Sequence, residues 1–265
     1  MKYELKDRVV LITGASSGIG RACAIAYHRA ACRIVAAARS REKLELLREE
    51  LGRDRLEIVT ADVTDAAQRE AGLRLARERS GPIDILINNA GWASFGSIVG
   101  MPLDHVDQMW ALNFRAALAL TQAVLPEMIQ RGSGQIINIS SVVGFQAIPR
   151  MGAYSATKAA LNALTTALRM ELHGTGVDVL LVAPGSTNTP FFQAAAQIDT
   201  KAVRLAETQY SPQRVARAVV RASRRRRRET VLSLEGKLIT WIRRASPRLA
   251  DAIMHHVGKK SMPVA

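Results

Sequence analysis

The sequence predicts an α/β fold in which helices cover both faces of a doubly wound parallel sheet. Apolar runs rich in β-branched residues alternate with segments of helical periodicity, and only short breaks separate them. The apolar runs are nearly continuous, which is typical of parallel strands buried on both faces. Strands are predicted at 8–13, 33–38, 56–61, 84–88, 135–140, 177–183 and 230–234, and helices at about 18–31, 41–51, 65–79, 104–131, 154–173 and 211–227.

Length and composition predict one domain in a reducing, cytoplasmic environment. A chain of 265 residues can bury a large core. Its 37 basic and 23 acidic residues give a formal charge of +14, which suits an anionic cofactor, nucleic acid or an anionic membrane surface. Charge alone does not choose among these partners. The two cysteines are too few for a disulfide framework, and the chain shows neither an apolar signal core nor an apolar run of spanning length.

The first predicted strand leads directly into a glycine-rich turn, "TGASSGIG" at residues 13–20, and then into a helix. Gly14 permits a tight turn, Gly18 lets the main chain approach a phosphate, and Gly20 lets helix and strand pack closely. The amides at the helix start would then face a pyrophosphate. A plain βα turn is the alternative for the motif taken alone.

Polar residues follow two further strands at the edge where parallel sheets hold ligands. Asp62 follows the third strand and "NNAG" at 88–91 follows the fourth. Their side chains can fix the loops and a cofactor by hydrogen bonds. Asn and Asp also favour turns for local reasons, so turn capping remains open for each of them.

A tyrosine and a lysine four residues apart provide candidate acid/base chemistry. On a helix, Tyr154 and Lys158 lie on one face, so the ammonium is close to the phenol. A nearby positive charge favours phenolate, and we expect it to lower the pKa of Tyr154 toward the operating pH. Ser141, at the end of the fifth strand, would hold a carbonyl oxygen by a hydrogen bond. A surface helix with a chance Tyr/Lys spacing is the alternative.

Together these motifs resemble the short-chain dehydrogenase/reductase family. "TGASSGIG", Asp62, "NNAG", Asn113, Ser141, "YSATK" and "PGSTNT" occur in the family's order and spacing, and the likeness covers about residues 6–235. The resemblance implies a single domain with a seven-stranded Rossmann-type sheet, a nicotinamide cofactor, and hydride exchange between a carbonyl and an alcohol. It implies a catalytic set of Asn113, Ser141, Tyr154 and Lys158. Asn113 would position a water, and Lys158 would also bond the nicotinamide ribose.

The end of the second strand predicts which nicotinamide is bound. NAD sites generally place an acid there, whereas an arginine suits the 2′-phosphate of NADP(H). The sequence is "AAARSREK", so we predict NADP(H) held by Arg39, while a solvated arginine at the helix start describes Arg41 better. The predicted cofactor-binding residues are Gly14, Ser16, Ser17, Gly18, Ile19, Gly20, Arg39, Ser40, Asp62, Val63, Asn89, Ala90, Gly91, Tyr154, Lys158, Pro184, Gly185, Thr187 and Thr189.

The segment after the sixth strand is predicted to form a substrate lid at about 186–210, within a catalytic domain of residues 1–235. By resemblance, "PGSTNT" lies along the nicotinamide carboxamide and Thr189 bonds it. The candidate substrate pocket is largely apolar, so a lipophilic ketone, aldehyde or alcohol is expected; its residues are Trp92, Val143, Phe145, Ile148, Met151, Phe191 and Phe192. Packing of the lid is the alternative for several of them.

The C-terminal segment 236–265 is predicted to be a basic amphipathic extension. It could lie on an anionic membrane surface, cover a partner subunit, or dock as an ordinary helix. The arginine run at 224–228 lacks interleaved aromatics, so nucleic acid is not expected. His255 and His256 are adjacent rather than four apart, so no metal site is expected. The resemblance also implies a homo-oligomer.

These observations lead to two functional hypotheses. The first is an NADP(H)-dependent oxidoreductase that interconverts a ketone or aldehyde and an alcohol, with Tyr154 as acid and base. The second is a catalytically idle dinucleotide-binding sensor or scaffold. The intact set of Ser141, Tyr154 and Lys158 favours the enzyme, because a protein that only binds needs no activated phenol.

Overall fold

The computed structural model describes residues 2–198 and 210–261, except for the side chains of 244 and 257–261. The strands are β1 Val9–Thr13, β2 Arg33–Ala38, β3 Leu56–Thr60, β4 Ile85–Asn88, β5 Ser94–Phe95, β6 Gly134–Ile139, β7 Val177–Ala183, β8 Ala196–Gln197 and β9 Glu229–Val231. The helices are α1 Gly18–Arg29, α2 Arg41–Leu51, α3 Ala66–Ser80, α4 Leu103–Trp110, α5 Ala116–Gln130, α6 Gly152–Glu171, α7 Phe191–Ala194, α8 Pro212–Arg224, α9 Leu234–Ala245 and α10 Pro247–Ser261.

Seven strands form one parallel sheet in the order β3-β2-β1-β4-β6-β7-β9. The chain begins in the middle of the sheet, builds outward to β3, and then crosses back to add β4 on the other side of β1. Loops therefore diverge between β1 and β4 at the carboxyl ends of the strands, which is where such sheets hold ligands. The predicted doubly wound α/β fold is confirmed.

Two apolar layers cover the faces of the sheet. On one face, α1, α2 and α8 pack through buried residues that include Tyr27, Leu44 and Val219. On the other face, α3, α5 and α6 pack through Leu73, Val124 and other buried aliphatic side chains. The near-continuous apolar strands thus reflect burial on both sides, as their sequences predict.

A small polar network crosses the sheet interior between β4 and β6. The Asn88 side-chain amide donates to Asn138 Oδ1 at 2.9 Å and lies 3.3 Å from Thr121 Oγ1. Asn138 in turn donates to Thr165 Oγ1 at 2.8 Å. Buried amides need such partners, so the network fixes the two strands to the helices that cover them.

The predicted single helix at 104–131 is wrong in one respect. The structure divides it into α4 and α5, joined by a π-helical turn at Ala111–Arg115. Asn113 lies in this turn with its side chain almost fully buried, and hydrogen bonds to Trp92 and Thr157 hold it in place. The wider turn allows the polar side chain to point inward, an arrangement that apolar periodicity does not reveal.

Two short strands form a separate pair that the sequence analysis did not predict. β5 lies just after β4, and it pairs in parallel with β8, which follows α7. The indole Nε1 of Trp92 also donates to the carbonyl of Ala194 at 3.0 Å. The first part of the predicted lid is therefore fastened to the loop after β4, while residues 199–209 of that prediction lie outside the described residues.

The C-terminal segment forms two helices, α9 and α10, that separate at Ser246. Ser233 caps α9 through the Gly236 amide at 2.9 Å, so the expected domain boundary at 235/236 falls inside a helix. The last strand, predicted at 230–234, accordingly ends at Val231. Within the described residues, none of the helices has the length and apolar character needed to cross a membrane.

Candidate active site

A cavity of about 1100 Å³ runs along the carboxyl edge of the sheet, over the crossover between β1 and β4. Nearly all the predicted site residues line it: Gly14, Ser16, Ser17, Gly18, Ile19, Arg39, Ser40, Asp62, Val63, Asn89, Ala90, Gly91, Ser141, Tyr154, Lys158, Pro184, Gly185, Thr187 and Thr189. Gly20 and Asn113 do not line the cavity, but each contacts residues that do. The sequence thus brings distant loops to one elongated site.

The glycine turn is built by close contacts of the main chain. Gly14 and Gly18 have φ angles of 65° and 54°, a conformation that glycine adopts without strain. A Cβ on Gly20 would lie 2.2 Å from the Gly14 carbonyl oxygen, so this position has no room for a side chain. The Asn89 side chain donates to the Thr13 carbonyl at 2.9 Å and fastens the turn to the loop after β4.

The start of α1 differs from those of most other long helices in the fold. Ser40, Asp65, Ser211 and Ser233 cap α2, α3, α8 and α9 with side-chain oxygens. Ser17, at the equivalent position of α1, makes no such bond, and no acidic residue lies in the first turn. The free amides of this turn therefore face the cavity with the positive end of the helix dipole, which fits the diphosphate of a dinucleotide.

Two basic residues lie at the cavity wall after β2. Arg39 has a side chain that is 77% exposed, and its Nη1 is 3.9 Å from Asp62 Oδ2. Lys43, one turn into α2, also lines the cavity, and the sequence analysis missed it. Ser40 accepts a hydrogen bond from the Lys43 amide at 3.4 Å, so the cap orients the first turn. Its place in the first helical turn after Arg39 was the signal that could have identified Lys43.

Asp62 is held as a carboxylate by its surroundings. Partial burial opposes ionisation, but hydrogen bonds from the Thr64 hydroxyl and amide, together with the charge of Arg39, outweigh it, so the pKa of Asp62 lies below its usual range. One carboxylate oxygen accepts both Thr64 bonds, at 2.7 and 2.9 Å. The other oxygen is left to face Arg39 and the cavity.

Tyr154 and Lys158 lie on one face of α6, as their spacing predicts, but the expected effect on the tyrosine pKa is wrong for the chain by itself. Burial raises the pKa of Tyr154 well above its usual value, and a hydrogen bond with Ser141 lowers it only in part. The phenol ring packs between Phe95 and Phe191 at centroid distances of 6.1 and 5.7 Å. This apolar packing desolvates the phenol, which disfavours its charged form and raises its pKa.

Lys158 is itself a buried amine. Burial lowers its pKa to about 8, and its side chain is 4% exposed. Nζ donates to the Ile139 carbonyl at 3.0 Å and lies 5.9 Å from the centroid of the Tyr154 ring. A lysine ammonium has three donors. The Ile139 bond uses one of them, and the lysine borders the cavity beside Gly91.

The side chain of Asn113 is held between the loop after β4 and α6. Its Oδ1 accepts from the Trp92 amide at 2.9 Å, and its Nδ2 donates to the Trp92 carbonyl at 2.9 Å and to Thr157 Oγ1 at 3.0 Å. Both side-chain groups are therefore engaged with the protein. The water-positioning role stays a prediction, and the side chain holds the loop after β4 against α6.

The end of the cavity beyond Tyr154 is apolar and aromatic. Six of the seven predicted pocket residues line it, namely Trp92, Val143, Ile148, Met151, Phe191 and Phe192, whereas Phe145 does not. The rings of Phe95 and Phe192 stack at 5.9 Å behind this wall. Gln108 of α4 adds an amide at the rim, and the sequence analysis did not include it. This chamber suits an apolar group next to the phenol.

Fold and site together define the class of protein, an oxidoreductase built on a Rossmann-type sheet. Residues 8–199 match the family model described as short chain dehydrogenase, and the chain belongs to this family. An uncharacterized oxidoreductase of Staphylococcus aureus (strain USA300) is 36% identical over 218 residues, which cover 82% of this chain and 91% of that protein.

Solved structures agree with this assignment. A short chain dehydrogenase/reductase from Burkholderia phymatum in complex with NAD is 25% identical, with a TM-score of 0.85 over 93% of this chain and 96% of that one. A short-chain dehydrogenase from Sphingobium yanoikuyae in complex with NADPH is 32% identical, with a TM-score of 0.78 over 92% and 96%. Similar proteins therefore bind either nicotinamide dinucleotide.

Proposed function

We propose that the protein is an NADP(H)-dependent oxidoreductase that interconverts a lipophilic ketone or aldehyde and the corresponding alcohol, with Tyr154 as the acid and base. One observation supports this most strongly. The phenol of Tyr154, with Ser141 and Lys158 beside it, lies in one cavity between the uncapped start of α1 and the aromatic chamber. A dinucleotide on one side and an apolar substrate on the other would meet at this hydroxyl.

Ser141 and Tyr154 have different roles at the reacting oxygen of the substrate. A bound nicotinamide dinucleotide supplies or accepts the hydride. Ser141 Oγ accepts a hydrogen bond from the Val143 amide at 3.3 Å, and its own proton, which bonds Tyr154 in the protein alone, would be donated to the substrate oxygen. Tyr154 donates its proton to the same oxygen as negative charge develops there, and in the reverse direction it takes the proton from the alcohol.

The high pKa of Tyr154 and the buried amine are compatible with this role. A desolvated phenol keeps its proton until a stronger base, the developing alkoxide, forms beside it. Once the proton has left, the phenolate gains the attraction of the Lys158 ammonium, which water screens little in this buried site. The lysine thus stabilises the state that follows proton transfer.

Activity on a panel of ketones, aldehydes and alcohols tests the reaction, with Tyr154→Phe as the decisive variant. Loss of the hydroxyl is expected to lower kcat by about 10²- to 10⁴-fold, the usual range for a general acid or base. Tyr3→Phe serves as a matched control, because Tyr3 is another buried tyrosine but lies outside the cavity. Equal activity of wild type and Tyr154→Phe would refute the mechanism, whereas a wild type with no activity on any compound of the panel would favour the catalytically idle dinucleotide-binding protein.

The proposed preference for NADP(H) rests on Arg39 and Lys43, two cations at the cavity wall after β2. Replacing either one by Ala removes a charge-assisted contact to the 2′-phosphate, so KM for NADPH is expected to rise about 10- to 100-fold. KM for NADH is expected to stay the same. Arg41→Ala is the control, since Arg41 lies outside the cavity. Tighter binding of NADH than of NADPH by the wild type would overturn the assignment.

We also propose that the chain associates with copies of itself. Support comes from large apolar side chains exposed on and before α4, which a homo-oligomer could bury: Ile98, Val99, Leu103 and Trp110. Sedimentation velocity with wild type and Leu103→Glu tests this. Dissociation of an oligomer in the variant is the expected result, and a monomeric wild type at micromolar concentration would contradict it.

A further inference from the structure

Helix α9 exposes a stripe of large apolar side chains. Leu234, Leu238 and Trp241 are 78%, 58% and 67% exposed. Their spacing of four and three residues places all three on one face of the helix. We call this set the α9 stripe. A tryptophan exposed beside two leucines is unusual on a protein surface that faces only water.

The opposite face of α9 is docked on the catalytic domain. Gly236 and Thr240 are buried there, and a Cβ at Gly236 would lie 2.5 Å from a methyl group of Val142. The helix therefore cannot rotate to bury the α9 stripe without breaking this packing. The stripe is held outward by the fold.

The surroundings of the stripe are basic. Lys237 is exposed and lies next to Leu238 in the helix, and Arg243 and Arg248 are also exposed. Residues 234–261 contain six Lys and Arg against two Asp and Glu, within a chain whose formal charge is +14. Apolar side chains with a tryptophan, flanked by cations, fit a membrane surface that carries anionic lipids.

We propose that α9 docks the protein on an anionic lipid surface, with the α9 stripe inserted at the boundary between headgroups and acyl chains. A second copy of the chain fits the stripe less well. Two copies that met through the stripe would bring the like charges of Lys237 and Arg243 on each copy together, whereas anionic lipid neutralises these charges.

This docking deepens the proposed function and, in its consequence for substrate, rests on it. α9 begins at the cavity, where Ser233 packs against Gly185, a lining residue. Arg243 Nη1 donates to Gln146 Oε1 at 3.0 Å, in the loop that leads to the chamber residue Ile148. A lipophilic substrate dissolved in the bilayer would therefore meet the protein close to the active site, with only α9 between the lipid surface and the cavity.

Sedimentation of the full chain with vesicles tests the proposal. The wild type is expected to pellet with vesicles of phosphatidylcholine containing about one third phosphatidylglycerol, and the double variant Leu238→Gln/Trp241→Gln to lose about 30-fold in partition coefficient. Lys237→Gln is expected to lose about fivefold on these vesicles and nothing on pure phosphatidylcholine. Raising the salt to about 0.5 M should weaken wild-type binding.

The matched control is Leu46→Gln/Met170→Gln, which removes two apolar side chains of similar exposure, 54% and 68%, away from α9 and from the proposed oligomer contact, and should bind as the wild type does. Failure of the wild type to pellet, or equal pelleting of wild type and the α9 double variant, overturns the proposal. A fall in molecular mass caused by the α9 variant in lipid-free sedimentation would assign the stripe to a second copy instead. The binding measurement needs no turnover, so it separates failure of docking from failure of the proposed reaction.

Discussion

The buried amine of Lys158 should make the protein less stable at neutral pH than it would be with an apolar side chain there. Burial lowers the lysine pKa from 10.5 to about 8, which corresponds to about 3 kcal/mol of unfavourable free energy for the charged form in the folded state. Lys158→Met keeps most of the chain volume and removes the charge, but it loses the hydrogen bond to Ile139, worth about 1 to 2 kcal/mol. A net gain of about 1 to 2 kcal/mol is therefore expected at pH 7.

The pH dependence of this gain identifies its cause. Because the folded pKa lies below the unfolded one, the unfolded wild type binds more protons between pH 8 and 10.5, and wild-type stability rises with pH across that window. The advantage of Lys158→Met should be full below pH 8 and shrink toward pH 10.5. Urea unfolding at pH 7, 8, 9 and 10 measures it, with Lys43→Met as a control at an exposed lysine.

The result at pH 7 should also appear as a rise in Tm of about 3 to 6 °C, given a chain of this size. The same variant should lose most of its activity, because the phenolate of Tyr154 would lack its neighbouring cation. Equal or lower stability of Lys158→Met at pH 7, or a gain that does not change with pH, would refute the reasoning about burial.

Three further predictions follow from particular contacts. Gly20→Ala places a Cβ 2.2 Å from the Gly14 carbonyl oxygen, so dinucleotide binding by fluorescence titration should be lost, and binding equal to that of the wild type would contradict the packing of the turn. Asn138→Ala removes the hydrogen bonds to Asn88 and Thr165 and leaves a cavity between them, so it should cost about 2 to 4 kcal/mol in urea unfolding; a cost below about 1 kcal/mol would contradict the network. Phe192→Ala should raise KM for lipophilic ketones about 10-fold with little effect on KM for NADPH, and a change in the cofactor constant alone would contradict the chamber.

Most of the fold could be predicted because the strands are buried on both faces and record this burial as apolar runs. The π-helical turn could not be predicted, because it is accompanied by contacts of a buried side chain, Asn113, with partners at positions 92 and 157, which the local sequence does not reveal. The β5/β8 pair was missed for a related reason. Two residues per strand carry no alternating pattern, and the pairing is made by main-chain atoms that every residue has.

The candidate site, like the fold, could be predicted only in part. Gly14, Gly18 and the Tyr154/Lys158 spacing are visible in the sequence because a turn and a helical face constrain them locally. The sign of the tyrosine pKa change was not visible, since it depends on the packing of Phe95 and Phe191 around the phenol, and these residues come from β5 and α7, which are far apart in the chain. The spacing of two residues on a helix shows that their side chains are near each other, whereas the polarity of their surroundings depends on the tertiary structure.

Because β5 pairs with β8, the substrate preference of such an enzyme can change through substitutions that leave the catalytic residues in place. The backbone amides of Ala196 and Ile198 donate hydrogen bonds to the carbonyls of Ala93 and Phe95. The segment 191–198, which borders the chamber, is therefore attached through main-chain atoms. Exchange of side chains in this segment leaves these hydrogen bonds in place and does not disturb α6, the helix that carries Tyr154, the proposed proton donor. The reaction and the choice of molecule on which it is performed thus reside in parts that can vary independently.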